Sequence, residues 1–163
     1  MTSTLLNPTL LAATVTTGLT AGFLAAFAHT VMPALARTDD AAFVGTFQIL
    51  DKAVYNPWFM VPFTLTPVLV AASTLLSLID GQRVTTLLLA AALVLALATV
   101  VITGAVHLPL NKEIGDVVLS SGVADLAAAR AHFEERWVQW NVIRTVTSTG
   151  SLAFLALALL RVH

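Results

Sequence analysis

Four stretches of this chain are each long and apolar enough to cross a bilayer, and that one feature decides most of what the chain can fold into. Crossing about 30 Å of hydrocarbon takes roughly 20 apolar residues in a helix. Such runs cover about residues 10–35, 57–79, 84–110 and 138–160. Lipid offers no partner to the backbone groups of an open strand, so every crossing must be helical. The expected fold class is therefore all-α: a four-transmembrane-helix bundle with amphipathic helical linkers on one side, forming one domain over residues 1–163. Composition agrees, with 58% of residues hydrophobic and 10% charged, against about 25% charged in a soluble domain. A net charge of −1 leaves no basic footprint for nucleic acid. The absence of cysteine excludes disulfides, thiolate metal sites and a cysteine nucleophile. The first basic residue is Arg37, beyond the first apolar run. A secretory signal needs positive charge before its apolar core, so the first run is expected to remain as a helix of the mature protein.

The connections set the topology. Asp80, Gly81, Gln82 and Arg83 leave room only for a tight turn, making the second and third helices antiparallel neighbours. Asn56 is a good N-cap for the second helix and Pro57 a good first residue. Pro62 and Pro67 lie inside that helix, where each removes a backbone hydrogen bond, and a bend is expected there. Phe43, Val44, Phe47, Leu50 and Val54 recur at helical spacing, with Asp40, Gln48, Asp51 and Lys52 elsewhere around the turn. This is the pattern of an amphipathic helix at the membrane interface. Ser121 and Gly122 break the second linker, and a helix starting near Val123 can run straight into the fourth span. Both termini and the Asp80 turn lie on one side of the membrane, and both linkers on the other. Arg37, Lys52, Lys112, Arg130 and Arg136 on the linker side, against Arg83 and Arg161, favour linkers facing the cytoplasm. The expected location is the inner cell membrane.

Helix direction brings the unusual residues into one layer, because His29, Asn56, Trp58, His107, Glu134, Trp137, Asn141 and Arg144 all fall near linker-side helix ends. Glu134, Trp137, Asn141, Arg144 and Ser148 are spaced 3, 4, 3 and 4 apart, which puts them on one helical stripe. A charge such as Arg144 inside the membrane costs some 2.5–3.5 kcal/mol, so it should face the bundle; snorkelling to the interface is the structural alternative. Thr99, Thr103, His107 and Asn111 share a face of the third helix. Gly22, Ala25 and His29 share one of the first, with small residues that allow close helix approach. Two histidines on facing helices suggest a metal site through His29, His107 and Glu134, or simply hydrogen bonds within the bundle, or a general base. The Glu-x-x-His pattern of carboxylate-bridged bundle metals is absent. Trp58, Phe59, Trp137 and Trp140 either form an interfacial aromatic belt or line a flat apolar pocket.

Taken together these residues resemble the anthrone oxygenase family of small four-helix membrane proteins. The resemblance rests on Val31-Met32-Pro33-Ala34-Leu35 after His29, on Phe43-Val44, Phe47-Gln48 and Asp51, and on Asn56-Pro57-Trp58-Phe59-Met60. It continues through Pro109-Leu110-Asn111, Ala129-Arg130, Phe133-Glu134, Arg136-Trp137, Trp140-Asn141 and Arg144-Thr145, from about Gly22 to Ser148. Fungal members oxidise anthrones to anthraquinones. The resemblance implies an oxygen-dependent oxidoreductase acting on a small apolar aromatic substrate with molecular oxygen, with no cofactor required. His29 is then the expected base, with Arg144 and Asn141 holding the substrate anion and Glu134 orienting the histidine or pairing with Arg144. Trp58, Phe59, Trp137, Trp140, Asn56 and Asn111 are the expected substrate contacts. Two alternatives stand beside it. One is a redox protein holding metal or haem through His29 and His107; the other is a non-enzymatic small-molecule binder or assembly partner. Homo-oligomerisation is compatible with all three.

Overall fold

A computed structural model describes residues Thr2–Ser120 and Gly122–Val162, and among these no strand occurs. The first rod runs as α1 (Thr2–Ala26), a π-helical turn (Phe27–Val31) and α2 (Met32–Leu35). α3 (Asp40–Val54) and α4 (Pro57–Ile79) follow. The third rod is α5 (Arg83–Ile102), a second π turn (Thr103–His107) and α6 (Leu108–Gly115). α7 (Val123–Leu159) is one uninterrupted helix of 37 residues, joining the linker helix to the fourth span as expected. Ser121, half of the expected break, lies outside the described residues. Four helices, Leu5–Leu35, Pro57–Ile79, Arg83–Gly115 and Val123–Leu159, are long and apolar enough to cross a membrane. The chain is an integral membrane protein.

Each helix boundary has a local cause. Asp39 caps α3 by accepting from the Ala42 amide at 2.8 Å, and Asn56 caps α4 by accepting from Trp58 and Phe59. Gly81 turns the chain between α4 and α5 at φ 71°, a conformation that penalises any side chain. Both π turns stand just before a proline, Pro33 and Pro109. A proline within a helix cannot donate to the carbonyl four residues back and its ring presses on that turn; a widened turn relieves the crowding.

α1 packs on α4 and α7, and α5 packs on the same two, closing a four-membered ring. Its interior changes character along the axis. At the terminal side Leu6, Leu10, Val70, Leu89 and Leu155 form an apolar core. In the middle it is small and polar: Thr17, Thr20, Thr66, Thr99, Ser148 and Ser151 are buried. Ser151 donates to the Ala92 carbonyl at 2.9 Å, and the Thr99 and Thr147 hydroxyls meet at 2.8 Å. Small residues let helices approach closely where lipid gives no hydrophobic drive between them.

At the linker side a second core gathers Met32, Phe43, Phe47, Leu110, Phe133 and Trp137. The α3 helix buries Phe43, Val44 and Phe47 in it, so it closes the end of the bundle. Gln48 donates to the carbonyls of Ile114 and Val117, both at 2.9 Å, tying α3 to the second linker. Arg130 on α7 ties down the first linker. It donates to the Ala36 and Thr38 carbonyls, pairs with Asp40 at 3.1 Å and Glu134 at 2.7 Å, and lies over the Phe43 ring.

Candidate functional site

Between the polar mid-section and the linker-side core the four rods line a partly open cavity of about 250 Å³, and α3 adds to its wall on the linker side. Phe23, Phe27, Phe47, Phe59, Phe63 and Trp137 line it with aromatic rings; Asp51, Thr103, His107, Asn111, Asn141 and Arg144 bring polar side chains to it. Phe23 and Phe59, with ring centroids 4.3 Å apart, also line a groove on the outer surface between α1 and α4.

Two hydrogen-bonded chains organise the polar atoms. In one, Arg144 (6% exposed) donates to Thr103 Oγ1 at 3.1 Å and to Asn141 Oδ1 at 2.9 Å, and the Asn141 amide donates to the Leu24 carbonyl at 3.1 Å. The guanidinium is thereby held by three helices, with its Nε left without a hydrogen-bond partner. In the other, Trp137 Nε1 donates to Asn111 Oδ1 at 2.9 Å, and Asn111 Nδ2 donates to Asp51 Oδ1 at 2.6 Å. Trp137 joins the chains, its ring 5.8 Å from the Arg144 guanidinium carbon and 5.1 Å, edge-on, from the His107 ring. His107 is 2% exposed. The Ile102 and Trp137 backbones lie near its imidazole, but neither ring nitrogen has a partner at hydrogen-bonding geometry.

The fourth-helix stripe faces inward as its spacing requires: Trp137, Asn141, Arg144 and Ser148 are all buried. The third-helix face also turns inward: Thr99 and His107 are buried, and Thr103 and Asn111, half-buried, line the cavity. Phe59 lines the cavity too. The first helix is different. His29 is exposed, its Nδ1 meets only the neighbouring Thr30 hydroxyl at 2.8 Å, and it does not line the cavity. Gly22, its stripe-mate, has no neighbour within 4 Å of a built Cβ. The inward face of α1 carries Thr17, Thr20, Ala21 and Leu24 instead. Spacing correctly groups Gly22, Ala25 and His29, but a helix apolar all round gives no sign of which side meets protein.

Other expected contacts also lie elsewhere. Glu134 pairs with Arg130 and touches neither His29 nor Arg144, because the nearer cation, one turn back on the same helix, captures it. Trp58 is 91% exposed and borders the outer groove, and Trp140 is 37% exposed. The side chain of Asn56 is spent on its cap and on the Ala53 carbonyl. Asn141 has its oxygen committed to Arg144 and its nitrogen to Leu24, which makes it a positioning residue for the guanidinium. Among the described residues no three His, Asp or Glu side chains cluster at metal-binding distance. His29, His107 and Glu134 form no such group: His29 is exposed and outside the cavity that His107 lines, and Glu134 is paired with Arg130.

The cavity residue that the sequence pattern hid is Asp51. On a linker helix it sits among the polar positions that usually face water, yet it reaches the cavity and meets Asn111. Burial raises its carboxyl pKa above the usual aspartate value, against the opposing pull of the Asn111 hydrogen bond. Two sequence signals bear on it: its phase, four residues after Phe47 on the edge of the buried face, and its place in the string that carries the family resemblance.

Compared with known proteins, the chain matches the anthrone oxygenase family profile over residues 54–154, more than half its length. That stretch contains His107, Asn111, Trp137, Asn141 and Arg144, and leaves His29 and Asp51 outside. No curated protein and no solved structure matches the chain.

Proposed function

The chain belongs to the anthrone oxygenase family, and from that premise we propose that it oxidises a membrane-soluble aromatic ketone of the anthrone type with molecular oxygen, inside the linker-side cavity. One observation carries the reading. Arg144 is a buried cation beside an aromatic-walled cavity, and no carboxylate lies within ion-pair distance of it among the described residues. A charge so placed costs some 2.5–3.5 kcal/mol in a membrane helix, and an anionic ligand would offset that cost. A volume of about 250 Å³ falls just under the roughly 300–1,000 Å³ usual for ligand pockets, which suits a compact plate of a few fused rings.

The chemistry follows from the ligand class. An anthrone has a methylene flanked by two rings that also carry a ketone. Removing one methylene proton leaves the electron pair delocalised onto the ketone oxygen as a phenolate-type anion. Arg144, held by Asn141 and Thr103, donates to that oxygen as an oxyanion hole does; His107 hydrogen-bonds the same oxygen, and Trp137 stacks on the rings. The anion gives an electron to oxygen, C–O bond formation then gives a peroxide anion, and this takes up one proton, balancing the one removed in the first step, to become a hydroperoxide. Loss of the second methylene proton with O–O cleavage leaves a ketone and water. The sum is CH₂ + O₂ → C=O + H₂O, balanced without an external reductant.

The test is oxygen uptake and quinone absorbance with anthrone and purified protein in lipid nanodiscs. The expected result is one oxygen consumed per quinone formed, above the rate of autoxidation, with Arg144→Leu lowering kcat/KM about a hundredfold or more. A wild-type rate no greater than autoxidation, or an Arg144→Leu variant as fast as wild type, would overturn the reading.

A further inference from the structure

Removing the methylene proton needs a base inside the cavity, and His29 is not there. We propose that Asp51, carried by α3 outside the membrane-spanning helices, is the catalytic base that takes this proton. The inference rests on the function proposed above and assigns the proton acceptor of that same site.

Three observations converge on it. Asp51 is the only carboxylate among the residues lining the cavity. Its Oδ1 is fixed by the Trp137–Asn111 chain at 2.6 Å, while Oδ2 accepts no hydrogen bond among the described residues. One oxygen is thus oriented and the other has lone pairs to offer. The side chain is also only half-buried, at the end of the bundle that meets water, so an accepted proton has a way out to solvent.

Charge counting separates Asp51 from His107. With Asp51 as base, the resting cavity holds one cation, Arg144, and one anion, Asp51. After transfer the C–H bond is broken, the proton is on the carboxyl, the electron pair is on the substrate, and the substrate anion pairs with Arg144. One positive and one negative charge remain at both stages. With His107 as base the transfer creates a second cation and an anion at once in a water-poor space, where each unpaired charge is costly. Burial, which raises the affinity of Asp51 for a proton, also brings the carboxylate nearer the range that suits a general base.

The groups sharing this space are His107 and Arg144 from the spanning helices and Tyr55 at the end of α3. Several on the elements packed around α3 are engaged elsewhere: Arg130 pairs with both Glu134 and Asp40, Lys112 with Asp116, and Glu113 with His132. The pH dependence therefore has a defined sign. Turnover rises with pH through an apparent pKa above the ordinary aspartate value, as Asp51 ionises. Stability moves the other way: a carboxyl whose folded pKa is raised stabilises the protein below its unfolded pKa, and that contribution is lost as pH rises through the folded value.

The experiment is deuterium exchange into the anthrone methylene, followed by NMR without oxygen, with the full-length protein in nanodiscs; it reads proton abstraction apart from oxidation. Wild type should accelerate exchange above the buffer rate. Asp51→Asn should lose about a hundredfold or more of that acceleration, while melting at neutral pH at or above the wild-type temperature. Asp51→Glu should recover part of it with a displaced pH profile. If Asp51→Asn exchanges and turns over like wild type while Arg144→Leu does not, Asp51 is not the base and the proposed reaction stands. If Asp51→Asn melts lower and Asp51→Glu restores only stability, its role is structural and the assignment fails. A wild-type protein that neither exchanges nor oxidises anthrone overturns the assignment and the reaction together.

Discussion

His29 and His107 each sit in a π turn of a membrane-spanning rod, yet only the second faces protein. The difference has a direct functional consequence. His29→Ala should leave kcat/KM for anthrone within about twofold of wild type, as surface substitutions usually do. His107→Ala should lower it about tenfold or more, the loss expected of one hydrogen bond in a dry site. Steady-state kinetics on the two variants side by side decides the point, and equal losses would contradict the placement of the two rings. Arg144 was the most legible residue in the chain, because a charge deep in an apolar run must have a reason to be there. Asp51 was the least legible: on an interfacial helix a carboxylate needs no explanation, and its contact with Asn111 spans 60 residues of sequence.

Among the elements, α3 decides whether the site has a wall on its linker side. It brings Phe47 and Asp51 to the cavity and is held by Gln48 from its own face and by Arg130 from α7. The four hydrogen bonds of Arg130, two to backbone carbonyls and two to carboxylates, fix the loop that leads into α3. Arg130→Ala should destabilise the protein by about 2 kcal/mol, the scale of hydrogen bonds to a charged group, and raise KM more than it lowers kcat, because it loosens the lid without touching the reacting atoms. Detergent thermal melts and initial rates give both readings, and a variant with unchanged stability and KM would contradict this role. That a helix would form here was plain from the periodicity of Phe43, Phe47, Leu50 and Val54. That it seats on the bundle end rather than on lipid headgroups was not, since an amphipathic face reads the same against protein or membrane.

Across the whole molecule the bundle is graded, with an apolar terminal core, a small polar middle and an aromatic linker-side core around the cavity. The middle depends on close approach. A Cβ at Gly150 on α7 would lie 3.1 Å from Leu95 Cδ1 on α5. Gly150→Leu should therefore lower the melting temperature, with an overpacking cost of about 1–3 kcal/mol, whereas Gly150→Ala asks only that the end of the Leu95 side chain shift. If Gly150→Leu melted like wild type, the close α5–α7 contact would be wrong.

Crossing number, antiparallel order and the gathering of polar residues at one end were determined by the sequence itself, because apolar length and connector length leave a membrane chain few alternatives. So was the membership of each helical stripe, which depends only on spacing along one helix. Which stripe looks inward was decided by the tertiary structure. In a soluble helix the polar face marks water, but here lipid and protein interior are equally apolar, so His29 and His107 carry the same local signal and opposite fates. The same holds for pairings across the bundle. Glu134 goes to Arg130, Asp51 to Asn111, and Arg144 to Asn141 and Thr103, choices set by three-dimensional distance once the four rods have closed their ring.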